Sequence, residues 1–268
     1  LGTEHGGELL DAVRGAGAFA HGMEATSDGL RYHPLFRAFL LQKLHARFGE
    51  AQIRDLYLRA ARSAYRSRRW YDAVEYSAAI ADWDQAAQVV EDVGEELTRK
   101  GFLETVRHWL DLIPEGEMLR RPVLLMLRGR LLRQAGRYCE ALRDLAEALR
   151  GLDEGKQQDM AVIARLDTAL VYHWVGEFQR AETVLQEALR LAGSNSPLRS
   201  MVLAELSGNC VVSDCLERAA DWGELAATES LASGSDPKST VSLIRALRFR
   251  GRALVLQGNL QGGMREIN

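Results

Sequence analysis

Between residues 127 and 149 apolar positions recur three and four apart on both sides of a polar break at Ala135-Gly136-Arg137. Leu127, Leu131 and Leu132 share one helical face before the break; Leu142, Leu145, Ala148 and Leu149 share one after it. Gly129 stands nine residues before Tyr138, and Ala141 stands three after it. Small residues at those two places let a pair of antiparallel helices approach closely, with the aromatic filling the gap beside the turn. One such hairpin cannot bury its own apolar stripe, so the pattern demands neighbours.

The chain repeats it. A second copy runs over 169–189, with Ala169, Gly176, Phe178, Ala181, Leu185, Ala188 and Leu189 in the matching places. Earlier copies centre on Trp70 (Ala61 before, Ala73 after) and Phe102 (Val93, Thr105). Later ones centre on Trp222 (Ser213, Leu225) and Leu260 (Gly251, Gly263), which puts the six centres 32, 36, 40, 44 and 38 residues apart. Val93, Thr105 and Leu225 depart from the small-residue rule. Hairpins at this period resemble the tetratricopeptide repeat, with longer spacings than its usual 34. The predicted fold is all-α: over 50–268, a right-handed superhelical solenoid of about six hairpins. Helices are expected at 50–69, 70–80, 82–98 (N-capped by Asp82), 101–113 (stopped by Pro114) and 122–135. Breaks are expected at 151–155, 193–197 and 234–237.

Residues 1–49 have another rhythm. ELLDAVR (8–14) reads as a short helix, 18–21 and 29–33 as two short strands, and Ser27-Asp28-Gly29 as part of their turn. The helix PLFRAFLLQKLHARF (34–48) follows, with Pro34 in a first helical position. Its predicted apolar face is Leu35, Phe36, Phe39, Leu40 and Leu44. Helix, β-hairpin, helix in this order suits the C-terminal part of a winged helix. The chain opens at Leu1 inside this domain and stops at Asn268 inside a hairpin, so a piece of a longer protein is expected.

Composition narrows the function. With 47% hydrophobic and 26% charged residues, the chain can build a continuous solenoid interior. Its formal net charge of −3 argues against nucleic-acid binding as its main task. Cys139, Cys210 and Cys215 lack zinc-site spacing and read as reduced thiols of a cytoplasmic protein. No apolar run is long enough to span a membrane.

Two stretches carry a family resemblance. LRYHPLFRAFLLQKL (30–44) is similar to a Y-H-x-L-F-x-x-F-L signature. In HWLDLIPEGEMLRRPVLLMLRGRLLRQAGRYCEAL (108–142), the run W-L-x-x-L-P, R-x-P-x-L and a G-R-aromatic hairpin follow in order. Both resemble the large ATP-binding transcriptional regulators of the LuxR type, the MalT-like members of the STAND ATPases. The resemblance covers residues 1 to about 150. It implies a layout of nucleotide-binding ATPase module, winged helix, helical-repeat sensor and DNA-binding helix-turn-helix, of which this chain would hold the end of the second and part of the third. It also implies that His33 touches the ADP phosphate, and only together with the ATPase module. The structural alternative is a histidine that packs the hairpin onto the helix. ATP or ADP would then be a cofactor of the longer protein, with none expected in this chain, and DNA would be reached through a separate domain.

In a solenoid the inner helices line a groove, the usual binding surface. Counted from the turn aromatics, the groove candidates are Arg130, Arg133 and Gln134, then His173 and Trp174, then Asp214 and Arg218, then Arg245, Arg248 and Arg252. Arginines around an aromatic suit a sugar, an anionic metabolite or an acidic peptide; a solvated packing face is the plain alternative. Arg62, Arg66, Arg68 and Arg69 read as a solvated helix face. The segment 151–157 (GLDEGKQ) mimics a P-loop but is one residue short, lacks the Ser/Thr after Lys156 and follows a helix, so it is rejected as a phosphate site. No nucleophile–base pair or metal-ligand spacing appears. The expected function is non-catalytic sensing of an inducer or protein partner; a tetratricopeptide-like scaffold for a peptide is the rival.

Overall fold

The computed structural model describes residues 20–22, 30–32, 34–154, 157–194, 196–232 and 237–267. Two compact units are present, Leu1–Val93 and Gly94–Asn268.

In the first unit β1 (Ala20–Gly22) pairs antiparallel with β2 (Leu30–Tyr32), His21 opposite Arg31. Helix α1 (Pro34–Arg47) follows. Leu35 and Phe39 on its predicted apolar face are exposed. Helices α2 (Glu50–Arg66) and α3 (Trp70–Ala78) form the first hairpin. Ala61, Ala64, Ala73 and Val74 are buried between them, and the Tyr65 and Trp70 rings meet edge to face with centroids 5.5 Å apart. Helix α4 (Trp83–Arg99) runs across the boundary between the units; Asp82 caps it by accepting from the Gln85 amide at 3.3 Å. The four arginines at 62, 66, 68 and 69 are exposed.

The second unit is a helical-repeat solenoid of the tetratricopeptide-like kind. After α4 come α5 (Leu103–Leu112), the one-turn α6 (Glu115–Met118), α7 (Pro122–Gln134), α8 (Tyr138–Glu154), α9 (Gln158–Trp174) and α10 (Phe178–Leu191). Then follow α11 (Pro197–Val212), α12 (Leu216–Ala232), α13 (Pro237–Leu256) and α14 (Leu260–Ile267). Helices 7 and 8, 9 and 10, 11 and 12, and 13 and 14 pack as consecutive hairpins, and α12 also packs on α13.

The small-residue rule has a physical basis in these pairs. A Cβ on Gly129 would lie 2.7 Å from Cγ of buried Leu145 and 3.4 Å from the Ala141 carbonyl oxygen. A Cβ on Gly251's partner Gly263 would lie 2.6 Å from the Gly251 carbonyl oxygen. The residue nine before each turn therefore abuts the residue three after it.

That geometry corrects two centres. The fifth hairpin turns at Ser213-Asp214-Cys215, so its centre is Leu216 and not Trp222, which lies inside α12. The small pair is Ser207 and Ala219, and the Ser207 hydroxyl donates to the Ala219 carbonyl at 2.7 Å. The second hairpin is displaced by one residue: α5 begins at Leu103, whose pair is Gly94 and Val106, while Phe102 is 54% exposed. The apparent exceptions at Val93 and Leu225 thus come from misplaced register, whereas the second hairpin keeps a branched residue, Val106, after its turn. The predicted break at 151–155 also starts late, because α8 continues to Glu154.

Each of the six turns holds one residue at positive φ, two places before the second helix: Arg68, Gly101, Gly136, Gly176, Asp214 and Gly258. Only glycine occupies that region without Cβ strain. Gly136→Ala is expected to destabilise the fold by about 1 kcal/mol. Asp214→Gly, which relieves the same strain, is expected to leave stability unchanged or raised. Urea midpoints of the two variants check both signs.

Candidate functional site

The first helices of five successive hairpins in the second unit converge on one cavity of about 240 Å³. Helix α4 brings Glu95, Thr98 and Arg99; α7 brings Arg130, Arg133 and Gln134. Ile163, Leu166, Asp167 and Leu170 come from α9; Leu198, Met201 and Glu205 from α11; Pro237, Lys238, Val241 and Arg245 from α13. Ile163, Leu166 and Leu198 are buried, so the cavity rests on an apolar floor.

Charges ring that floor. Asp167, buried in mid-helix, accepts from Arg130 Nε at 2.8 Å and from Arg133 Nη2 at 3.1 Å. One carboxylate therefore serves two guanidinium groups. Burial works against the Arg130 charge, but the attraction and hydrogen bond of Asp167, aided by Glu95, outweigh it and hold its pKa above the ordinary value. Arg133 Nε is buried and has no hydrogen-bond partner. Lys238 faces Glu95 at 3.6 Å, and Arg245 pairs with Glu205. Arg99 is exposed, with no ion pair among the described residues.

The sequence-derived candidates divide. Arg130, Arg133, Gln134 and Arg245 line the cavity. His173 and Trp174 stand at the end of α9, away from its lining; His173 meets the rings of Trp174 and Phe178 edge to face, and Trp174 is 65% exposed. Because the fifth turn lies at 213–215, Asp214 is a turn residue and Arg218 belongs to α12, the second helix of its hairpin; the register that put both on an inner helix is corrected. Arg218 pairs with Glu182. Arg248 lies 4.8 Å over the Phe249 ring, and Arg252 is exposed; neither lines the cavity. His33 is outside the described residues. Asp167, Glu205, Glu95 and Lys238 also line the cavity, and a pattern of arginines and aromatics does not single them out. The signal for Asp167 was a lone acid on an otherwise apolar helical run.

Burial pushes the Cys210 thiol up to about 11, so it is protonated at neutral pH. Among the described residues no three His, Cys, Asp or Glu side chains group as a metal site, and no helix is long and apolar enough to cross a membrane.

These features define a class: a helical-repeat protein whose first helices jointly line one cavity, preceded by a strand pair and helix. Residues 1–52 match the model of the MalT winged helix domain, and the helical-repeat region follows that match in the chain. The HTH-type transcriptional regulator MalT of Vibrio campbellii is 24% identical over 199 residues, which are 74% of this chain and 20% of the relative. MalT of Klebsiella pneumoniae is 25% identical over 169 residues, 63% of this chain and 18% of the relative. The match thus spans about a fifth of the length of these curated relatives.

Solved structures agree on the fold. PilW, a type IV pilus biogenesis factor, superposes with a TM-score of 0.55 at 15% identity, covering 80% of this chain and 90% of its own. BtubC from P. vanneervenii gives 0.52 at 19% identity, covering 81% and 87%. At such identities the likeness concerns the fold alone.

Proposed function

We propose that this chain is a non-catalytic, cytoplasmic sensor segment of a MalT-like transcriptional regulator. Its cavity binds an inducer, and occupancy governs a separate ATPase module and DNA-binding domain. The observation that carries this is the contribution of five hairpins to one cavity. A ligand held there touches α4, α7, α9, α11 and α13 together, so it favours one mutual placement of the repeats. It shifts the protein between states only to the extent that it binds one of them better. The similar proteins are HTH-type transcriptional regulators, which supports the regulatory half of the reading. The resemblance at 30–44 supports nucleotide control through an ADP contact at His33.

A thermal-shift screen of sugars, nucleotides and organic acids on the full chain tests it. At least one compound is expected to raise the melting temperature progressively with concentration, as ligand linkage requires. Val241 is 44% exposed on the cavity wall, so Val241→Trp fills the cavity while sparing the core. That variant is expected to melt like the parent and lose the ligand effect. Stabilisation that survives Val241→Trp would place sensing elsewhere.

A further inference from the structure

We infer that the cavity's ligand is a small organic anion, a carboxylate on a compact aliphatic body. This rests on the sensing reading above and specifies its chemistry.

Charge gives the first argument. Among the described residues, five cationic side chains and three carboxylates line the cavity, an excess of two positive charges. They can be located. Arg130 and Arg133 share the single carboxylate of Asp167, and Arg133 Nε has no acceptor. Arg99, on α4, has no ion pair among the described residues. A guanidinium presents a planar fork of donors that matches a carboxylate, and such charge-assisted bonds are the strong ones. Buried donors without acceptors are costly, so a ligand that supplies an acceptor gains what the empty cavity lacks.

The lining gives the second argument. Ile163, Leu166, Leu170, Leu198 and Met201 offer methyl and thioether surface, and no aromatic ring is among the described lining residues. Neutral sugars are held by stacking on rings and by arrays of amide and hydroxyl groups; among the described lining residues Gln134 and Thr98 alone carry an amide and a hydroxyl side chain. Size gives the third. A volume of about 240 Å³ lies just below the roughly 300–1,000 Å³ of ordinary ligand pockets, which suits a compact ligand. An anionic head beside Arg99 and Arg133, with an aliphatic body on the α9 and α11 floor, satisfies all three.

Hexanoate and hexanamide, equal in shape and different in charge, are the probes, with sucrose as a neutral polyol. Hexanoate is expected to raise the melting temperature of the full chain in a saturable way, and to bind at least about tenfold tighter than hexanamide by calorimetry. Arg99 is exposed and unpaired, so Arg99→Gln is expected to fold normally and weaken hexanoate about tenfold. Val241→Trp is expected to abolish binding. Hexanamide binding as well as hexanoate, or Arg99→Gln leaving hexanoate unaffected, would overturn the anion assignment. Sucrose binding that Val241→Trp removes, without hexanoate binding, would overturn it while leaving the sensing reading intact. If no compound in either panel stabilises the chain, both fall.

Discussion

Asp167→Ala is expected to lower stability by about 3–5 kcal/mol, because it removes the one carboxylate that the desolvated guanidinium groups of Arg130 and Arg133 both bond to. The side chains of Arg130, Arg133 and Asp167 are 14, 15 and 5% exposed, so water cannot take over the lost role. For a chain of this size the loss corresponds to a melting-temperature drop of roughly 6–20 °C. Buried ion pairs are costly to break and of small net benefit against an apolar replacement of similar volume. Replacing all three residues, as Arg130→Met, Arg133→Met and Asp167→Leu, is therefore expected to recover most of that loss. Thermal melts of the single and triple variants measure the difference. Equal melting of Asp167→Ala and the parent would mean that the guanidinium groups are solvated, and the charge argument for the cavity would fail with it.

Legibility in the sequence followed the length scale of each interaction. Hairpins at Tyr138 and Phe178 were readable because each element of their packing lies within twelve residues: Gly129 and Ala169 before, Gly136 and Gly176 at the turn, Ala141 and Ala181 after. The fifth hairpin was misread because Asp214 takes the left-handed turn position that glycine holds in its neighbours. Trp222, eight residues further on, stands out as the nearest large aromatic and suggests a false centre. Leu216, which takes the turn position at this hairpin, is neither aromatic nor preceded by glycine. The second hairpin slipped for a smaller reason, since Phe102 is the residue just before α5 and points largely to solvent.

The cavity was legible by halves. Arg130, Arg133 and Gln134 lie on one turn-proximal stretch of α7, and counting back from Tyr138 places them on the inner side. Their partners come from other repeats: Asp167 is 37 residues from Arg130 and Glu205 is 40 from Arg245. Periodicity says which face a residue occupies but not which residue faces it across the groove. Trp174 looked like a ligand platform because it follows His173 in a polar setting. It shares a helix face with lining residue Leu170 but stands at the last residue of α9, past the cavity, and is 65% exposed.

Trp109→Ala is expected to cost about 3–5 kcal/mol, and to cost it locally. Val106, Trp109, Leu110 and Ile113 form the buried stripe of α5 at spacings of three, four and seven, and Trp109 is 1% exposed. Truncation leaves a cavity the size of an indole that the flanking helices cannot close. In a solenoid each repeat contacts only its neighbours, so stability is a sum of repeat and interface contributions and damage need not spread. Helix α5 packs on α7, whereas α11, α12 and α13 pack mainly on one another. Amide exchange is therefore expected to accelerate in α5 and α7 while α11 to α13 keep their protection. Arg99 on α4 and Arg133 on α7 belong to the affected end, so hexanoate affinity should fall as well, although Trp109 does not line the cavity. Uniform acceleration across all helices would show that the repeats unfold as one cooperative body, in which case a ligand would act on the whole solenoid at once and not through the mutual placement of its hairpins.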